Sequence, residues 1–377
     1  MAYSSILKHM LGEVRACLEA EGITRQSRKF LEHGHHSAGR DSPLVMVACS
    51  GGRDSIALAA LAHTVCGMLG VRCGAVVIDH GLFEASAALT RTVVERCHDI
   101  GLSPVVDRRI QVLPGGKGVE AAAREARYSA ICDTAGKEEA ALVLLAHTAD
   151  DQAETVLMGL LRGGGLSALA GMPRSMNRDG VRFARPLLDC TRRQTTQACR
   201  DLHLEWWDDP SNGEGVGMRL SAEYPLRSRV RHDLIPMIEE FWGSDIVTQL
   251  AVGAKSARSD QDYLERRVDE LMDAVVTLHE GTAIGEASPF EDASTGEVAL
   301  SVDAKALEGE HPAIRLRILS RSLESLGLAP ARRHVEAMDN LVVKWHGQGP
   351  IVINGGYSAL RRGHVILICK DGGHANR

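Results

Sequence analysis

Two short strings put chemistry-bearing side chains where a strand hands over to a helix. The first is Ser50-Gly51-Gly52-Arg53-Asp54-Ser55, at the end of the apolar, β-branched run LVMVACS (44–50). Glycines at such a turn let backbone N–H groups approach an anion, and the following helix adds the positive end of its dipole. No Gly-Lys-Ser/Thr follows, so this is not the Walker A pattern. The string lacks the γ-phosphate lysine and carries an acid at Asp54, and an acid beside bound phosphates makes sense as a Mg²⁺ ligand. The second string is Ala146-His147-Thr148-Ala149-Asp150-Asp151-Gln152-Ala153-Glu154-Thr155. Asp151 and Glu154, three apart, share one helical face. Thr148 and Asp151 also fit a capping box, and the acids would complement the helix dipole. That plain role leaves the company of His147 and Glu154 unexplained.

Elements of a parallel sheet would bring these strings together. The runs 44–50, 71–81 and 140–147 read as buried strands and Pro104-Val105-Val106 as part of another, with helices over 86–101 and 119–135 and one opening near Asp150. Alternation of this kind implies βαβ units, an α/β fold with a parallel sheet and helices on both faces. In such sheets ligands sit at the carboxyl ends of the strands. Ser50–Ser55, Asp79-His80-Gly81 and His147–Glu154 all fall there. Three arginine-bearing strings accompany them: Arg124 and Arg127 in AAREARY (122–128), Arg162 before a triple glycine, and Arg227-Ser228-Arg229-Val230-Arg231. The composition shifts after Asp209-Pro210-Ser211-Asn212. Residues 246–279 read as one long helix, 281–297 as a loop, and 298–370 as a smaller αβ unit. This gives domains at 1–212 (with a helical extension over 1–43), 213–280 and 281–377.

The chain has 377 residues, 44% of them hydrophobic and 24% charged, enough to bury a core without disulfide staples. Nine cysteines without a C-x-x-C pair disfavour zinc, iron–sulfur and paired redox sites and suit buried thiols in a reducing cytoplasm. The N-terminus lacks the apolar core of a signal peptide and reads as an amphipathic helix through Ile6, Met10, Leu11, Val14 and Leu18. The charge-free stretch between Asp54 and Arg72 contains Ser55, His63 and Thr64, which suits a buried helix better than a membrane span. Net charge is −6, against bulk binding of nucleic acid. Charge is nevertheless segregated: 174–193 holds six Arg against two Asp, and 305–370 holds ten Lys/Arg against five acids, so local basic faces are expected.

The Ser50–Ser55 string resembles the S-G-G-x-D-S signature of the PP-loop ATP pyrophosphatase superfamily. With Asp79-His80-Gly81-Leu82, Ala122–Tyr128, His147–Thr155, Leu160–Leu166, Arg185-Pro186-Leu187-Leu188 and Asp209–Asn212 in order, residues 44–240 resemble the bacterial tRNA(Ile)-lysidine synthetases (TilS). Phe83 stands where that family usually has Arg, and Ser228 departs from its R-N-x-x-R string. The resemblance implies a cytoplasmic ligase that uses ATP to adenylate the wobble cytidine of an isoleucine tRNA with a CAU anticodon. Free L-lysine then displaces AMP, leaving lysidine and, from the first step, pyrophosphate. ATP would be held by Ser50, Gly51, Gly52, Arg53, Asp54, Ser55, Asp79 and His80, with Mg²⁺ on Asp54. Asp54, His147, Asp151 and Glu154 would be catalytic, with Arg124, Arg127, Arg162, Arg227 and Arg231 on the tRNA. Members are often dimeric, which makes a homodimer an expectation. The alternatives are a PP-loop tRNA thiolase, which commonly needs paired cysteines, and a small-molecule amidating ligase, which needs an ammonia source.

Overall fold

Alternation decides which side of each central strand meets which helix. In β1 (Leu44–Ala48), Val45 and Val47 face one layer while Leu44 and Met46 face the other, and all four are buried. The computed structural model describes residues 3–32, 36–81, 86–111, 119–209, 216–217, 219–279 and 297–370. Around β1 lie β2 (Arg72–Asp79), β3 (Val105–Arg109), β4 (Ala140–Leu144), β5 (Ser175–Arg178) and β6 (Val181–Ala184), in the order β3-β2-β1-β4-β6-β5. All pairs are parallel except β5 with β6. Helices α1 (Ser5–Ala20), α2 (Arg53–Leu69) and α3 (Ser86–Ile100) cover one face, and α4 (Val119–Lys137) covers the other. The parallel α/β architecture expected from the sequence is therefore present. The chain winds from β1 toward β3 on one side and places β4 on the other, so the strand order reverses beside β1.

The charge-free stretch is α2, with Ile56, Leu58, Leu61, Val65 and Leu69 in the core. Among the described residues no helix is long and apolar enough to cross a membrane. The hairpin β5–β6 was not anticipated, although Asp179-Gly180 is its signal: both have positive φ, 50° and 79°, as a tight hairpin turn requires. Further along the chain are α5 (Ala149–Leu161), α6 (Leu166–Leu169), α7 (Arg192–Asp201), α8 (Leu226–Arg229), α9 (Ile235–Trp242) and α10 (Ile246–Val275), with a π-turn at Val230–Leu234. Contact density divides the chain into Met1–Arg258 and Ser259–Arg377, so the Arg227–Arg231 segment lies with the sheet of the first unit.

In the second unit, β7 (Val276–Leu278), β8 (Glu297–Asp303), β9 (Ile351–Ile353), β10 (Tyr357–Arg362) and β11 (Val365–Lys370) form an antiparallel sheet ordered β7-β8-β11-β10-β9. Helices α11 (Ala304–Glu308), α12 (Pro312–Ser325) and α13 (Arg332–Val343) pack on it through Leu307, Ile318, Leu319, Met338 and Leu341. The helix expected over 246–279 ends at Val275, where β-branched Val276 and Thr277 instead pair with Val302 and Ser301. Most of the expected 281–297 loop, together with Phe83 and Pro210–Asn212, lies outside the described residues.

Several cations of the two basic stretches are paired within the fold. Arg174 pairs with Asp189, Arg178 with Glu125, and Arg182 with Glu21, while Arg185 is buried. In the second unit Arg315 pairs with Asp339, Arg321 with Glu265 and Asp269, and Arg361 with Glu308.

Candidate active site

The turn after β1 is built so that its amides stay available. Gly51 has φ +82°, and a Cβ there would lie 2.3 Å from Val93 Cγ2, so neither the backbone nor the space admits a side chain. Its carbonyl accepts from the Trp207 amide at 3.0 Å. Ser55 Oγ donates to the Gly52 carbonyl (2.8 Å) and accepts from the Ser50 amide (3.2 Å), which pins the loop to the first turn of α2. Gly52 is the N-cap residue of α2 and offers no side-chain cap, so the end of a 17-residue helix points its free N–H groups outward. Beside it opens a cavity of about 360 Å³. Its walls include Ser50, Asp54, His80, His147, Asp151 and Arg231.

Asp54, in the first turn of α2, faces Arg192 at 3.6 Å and accepts from Thr195 Oγ1. Burial raises the Asp54 pKa, and Arg192 only partly offsets this. Asp151 follows β4 in α5, where Thr148 and Asp151 form a reciprocal capping box. Burial pushes its carboxyl up, but Arg192, the Thr148 amide and Arg231 outweigh that and hold it below the ordinary range. Arg192 is the hub. Its guanidinium lies 3.6 Å from Asp54, 3.7 Å from Asp150, 3.3 Å from Asp151 and 3.4 Å from Glu154. Its amide donates to Asp150 at 2.7 Å. Burial opposes its charge, yet the four carboxylates hold the guanidinium more firmly protonated than usual.

The sequence missed Arg192, although Thr191-x-x-Gln194 is a capping-box signature and the box forms. That signal would have started a helix at 192 and put the arginine in its first turn.

The predicted residues do not all meet. Glu154 has no exposed side-chain surface and does not line the cavity; its carboxylate takes Arg192, Arg227 (3.4 Å) and Arg231 (2.6 Å). Arg227 and Arg231, one helical turn apart, thus converge on an internal carboxylate, and Ser228 between them is buried. Asp79 turns back to accept from the Gly81 amide at 2.9 Å and does not line the cavity, whereas His80 does. Burial and Arg127 lower the His80 pKa. Arg53 borders the cavity and donates to Thr196. Arg127 lines the cavity, while exposed Arg124 stacks over Tyr128, 5.4 Å from the ring centre. Exposed Arg162 instead borders a separate cleft of about 200 Å³ with Thr155 and Arg227. All nine thiols are free, and all but Cys17 are buried.

An anion-binding turn after the first strand, at the point of strand-order reversal, with acids from the adjoining strand end, defines the PP-loop class of ATP-using proteins. The PP-loop domain family matches residues 20–238, and the TilS substrate binding domain matches 303–365. The tRNA(Ile)-lysidine synthase of Bifidobacterium longum subsp. infantis is 49% identical, with 100% of both chains covered. That of Bifidobacterium animalis subsp. lactis is 48% identical, over 100% of this chain and 98% of the relative. That of Streptomyces coelicolor is 39% identical, over 87% and 85%. The chain belongs to the tRNA(Ile)-lysidine synthase family.

Proposed function

We propose that the chain joins the side-chain amine of free lysine to C2 of the wobble cytidine in an isoleucine tRNA with a CAU anticodon, at the expense of ATP. One observation carries this reading: the uncapped end of α2 and the carboxylates of Asp54 and Asp151 border a single cavity large enough for a nucleotide. The amides of Gly51–Ser55 bind the phosphates and stabilise charge as pyrophosphate leaves and the cytidine 2-oxygen takes the adenylyl group. Among the described residues no three metal-ligating side chains are grouped so as to hold a metal ion by themselves. The donor set fits a Mg²⁺ carried by the phosphate oxygens, with Asp54 as one protein ligand. Such an ion would neutralise phosphate charge.

Lysine arrives as an ammonium, its amine having an ordinary pKa of about 10.4. Asp151, ionised on the cavity wall, attracts it and takes or relays the proton that must leave before attack on C2 expels AMP. Glu154 acts from behind, fixing Arg192 and Arg231. The target base must leave its stack to enter the cavity. Arg124, Arg127, Arg162, Arg227 and Arg231, with the second unit, contact the tRNA. A tRNA thiolase is disfavoured by the absence of a C-x-x-C pair, and a small-molecule amidating ligase by the lack of an evident ammonia source. The location is the cytoplasm, and the active form is a homodimer.

The test is incubation with ATP, labelled lysine and the tRNA transcript, followed by nucleoside analysis. Labelled lysidine is expected, with AMP released only when tRNA and lysine are both present. AMP release that ignores lysine, or label on another nucleoside, rejects the reading.

A further inference from the structure

His147 follows β4 and lines the cavity, and its two ring nitrogens face different surroundings. Arg185, which follows β6, donates from Nε to His147 Nδ1 at 3.2 Å. Arg185 is only 1% exposed. The rest of its guanidinium is spent on the Pro173 carbonyl (2.7 Å) and Met176 Sδ (3.3 Å). A guanidinium has no lone pair to offer, so Nδ1 must be the accepting nitrogen. In a neutral imidazole the proton then belongs on Nε2. Among the described residues Nε2 makes no hydrogen bond, although its ring borders the cavity.

We infer that Arg185 is a positioning residue that locks His147 as a neutral Nε2–H donor directed at the ligand, and so bars it from acting as a proton acceptor. The inference rests on reading this cavity as the nucleotide site. The charged groups around the ring are Asp151 on α5, Arg127 on α4, Arg185 and Arg227 on α8. Burial and the three arginines outweigh Asp151, and the ring is pushed down to about 3. An imidazole in this state binds an anionic or carbonyl oxygen without bringing charge of its own. It has no free lone pair with which to deprotonate lysine. That task is left to the carboxylates.

Two measurements test this. Long-range ¹H–¹⁵N correlations of the intact protein, with the His147 signals identified by their loss in His147→Gln, should show the Nε2-protonated pattern, unchanged between pH 5 and 9. An Nδ1-protonated pattern, or a titration within that range, overturns the inference. The second is binding of a non-hydrolysable ATP analogue. A glutamine amide nitrogen superimposes on Nε2 and an asparagine one on Nδ1. His147→Gln should therefore bind within about threefold of the unaltered protein and His147→Asn about tenfold weaker, the effect of one lost donor. The reverse order rejects the claim. In Arg185→Lys the ring should lose its single tautomer and begin to titrate. Should that variant not fold, the spectrum of the unaltered protein still decides. A chain with the Nε2–H signature that makes no lysidine would disprove the assigned reaction while leaving this inference standing.

Discussion

The helices that follow β1 and β4 begin side by side at the same edge of the sheet, yet their first turns are treated in opposite ways. α5 opens with a reciprocal box between Thr148 and Asp151, and its orphan amides are served from within. α2 opens on Gly52, which has no side chain to offer. A helix end that has glycine in place of a capping side chain forgoes about a few tenths of a kcal/mol of stability. The difference teaches which terminus is structural and which is reserved for a ligand. It also explains why Asp151 is so well placed: the bond that caps its helix also fixes its carboxylate against the cavity.

The largest expected effect comes from removing the charge that both helix ends share. Arg192→Ala leaves four carboxylates facing one another, and chemical denaturation should show a loss of about 3–5 kcal/mol, as for other broken buried pairs. Next are Asp54→Ala and Asp151→Ala. Single-turnover lysidine formation should fall at least about 100-fold in each, and near-normal rates in either would remove that residue from the chemistry. Gly52→Ser turns one terminus into the other. Cβ at 52 meets nothing closer than 3.6 Å, so serine fits. A hydroxyl that caps α2 should raise stability by a few tenths of a kcal/mol and weaken ATP binding about fivefold, because it competes with phosphate for the same amides. Unchanged ATP affinity in that variant would break the contrast. The smallest effect is Thr148→Ala, about 1 kcal/mol of stability, seen as a modest drop in Tm.

A pH series sharpens the same contrast. His147 is held neutral with its pKa lowered to about 3, against an ordinary 6.5. The unfolded chain therefore binds the extra proton over that interval. Its contribution to stability is complete above about pH 6.5 and is lost progressively as pH falls toward 3. The unfolding midpoint of His147→Gln should lose part of this acid dependence.

The sheet and the turn after β1 were legible in the sequence because both rest on local signals: β-branched runs, a double glycine and acids spaced by one helical turn. The fate of the arginines was not. Nothing local distinguishes Arg192, enclosed by four acids, from Arg193, which is exposed. The partners of Arg192 come from α5 and α2, roughly 40 and 140 positions earlier, so no local window of sequence shows them. The spacing of Glu154, three residues from Asp151, shows that the two share a helical face but not how deep each lies. The fold puts Glu154 a turn deeper, among the guanidiniums.

The three-armed grip of Glu154 has a bearing on how RNA would be held nearby. A phosphate reaching Arg227 or Arg231 must exchange with a carboxylate already in place, and no condensed counter-ion is set free from that spot. The slope of tRNA affinity against salt should then register fewer contacts than a footprint would count. Replacing Glu154 with Gln should steepen it.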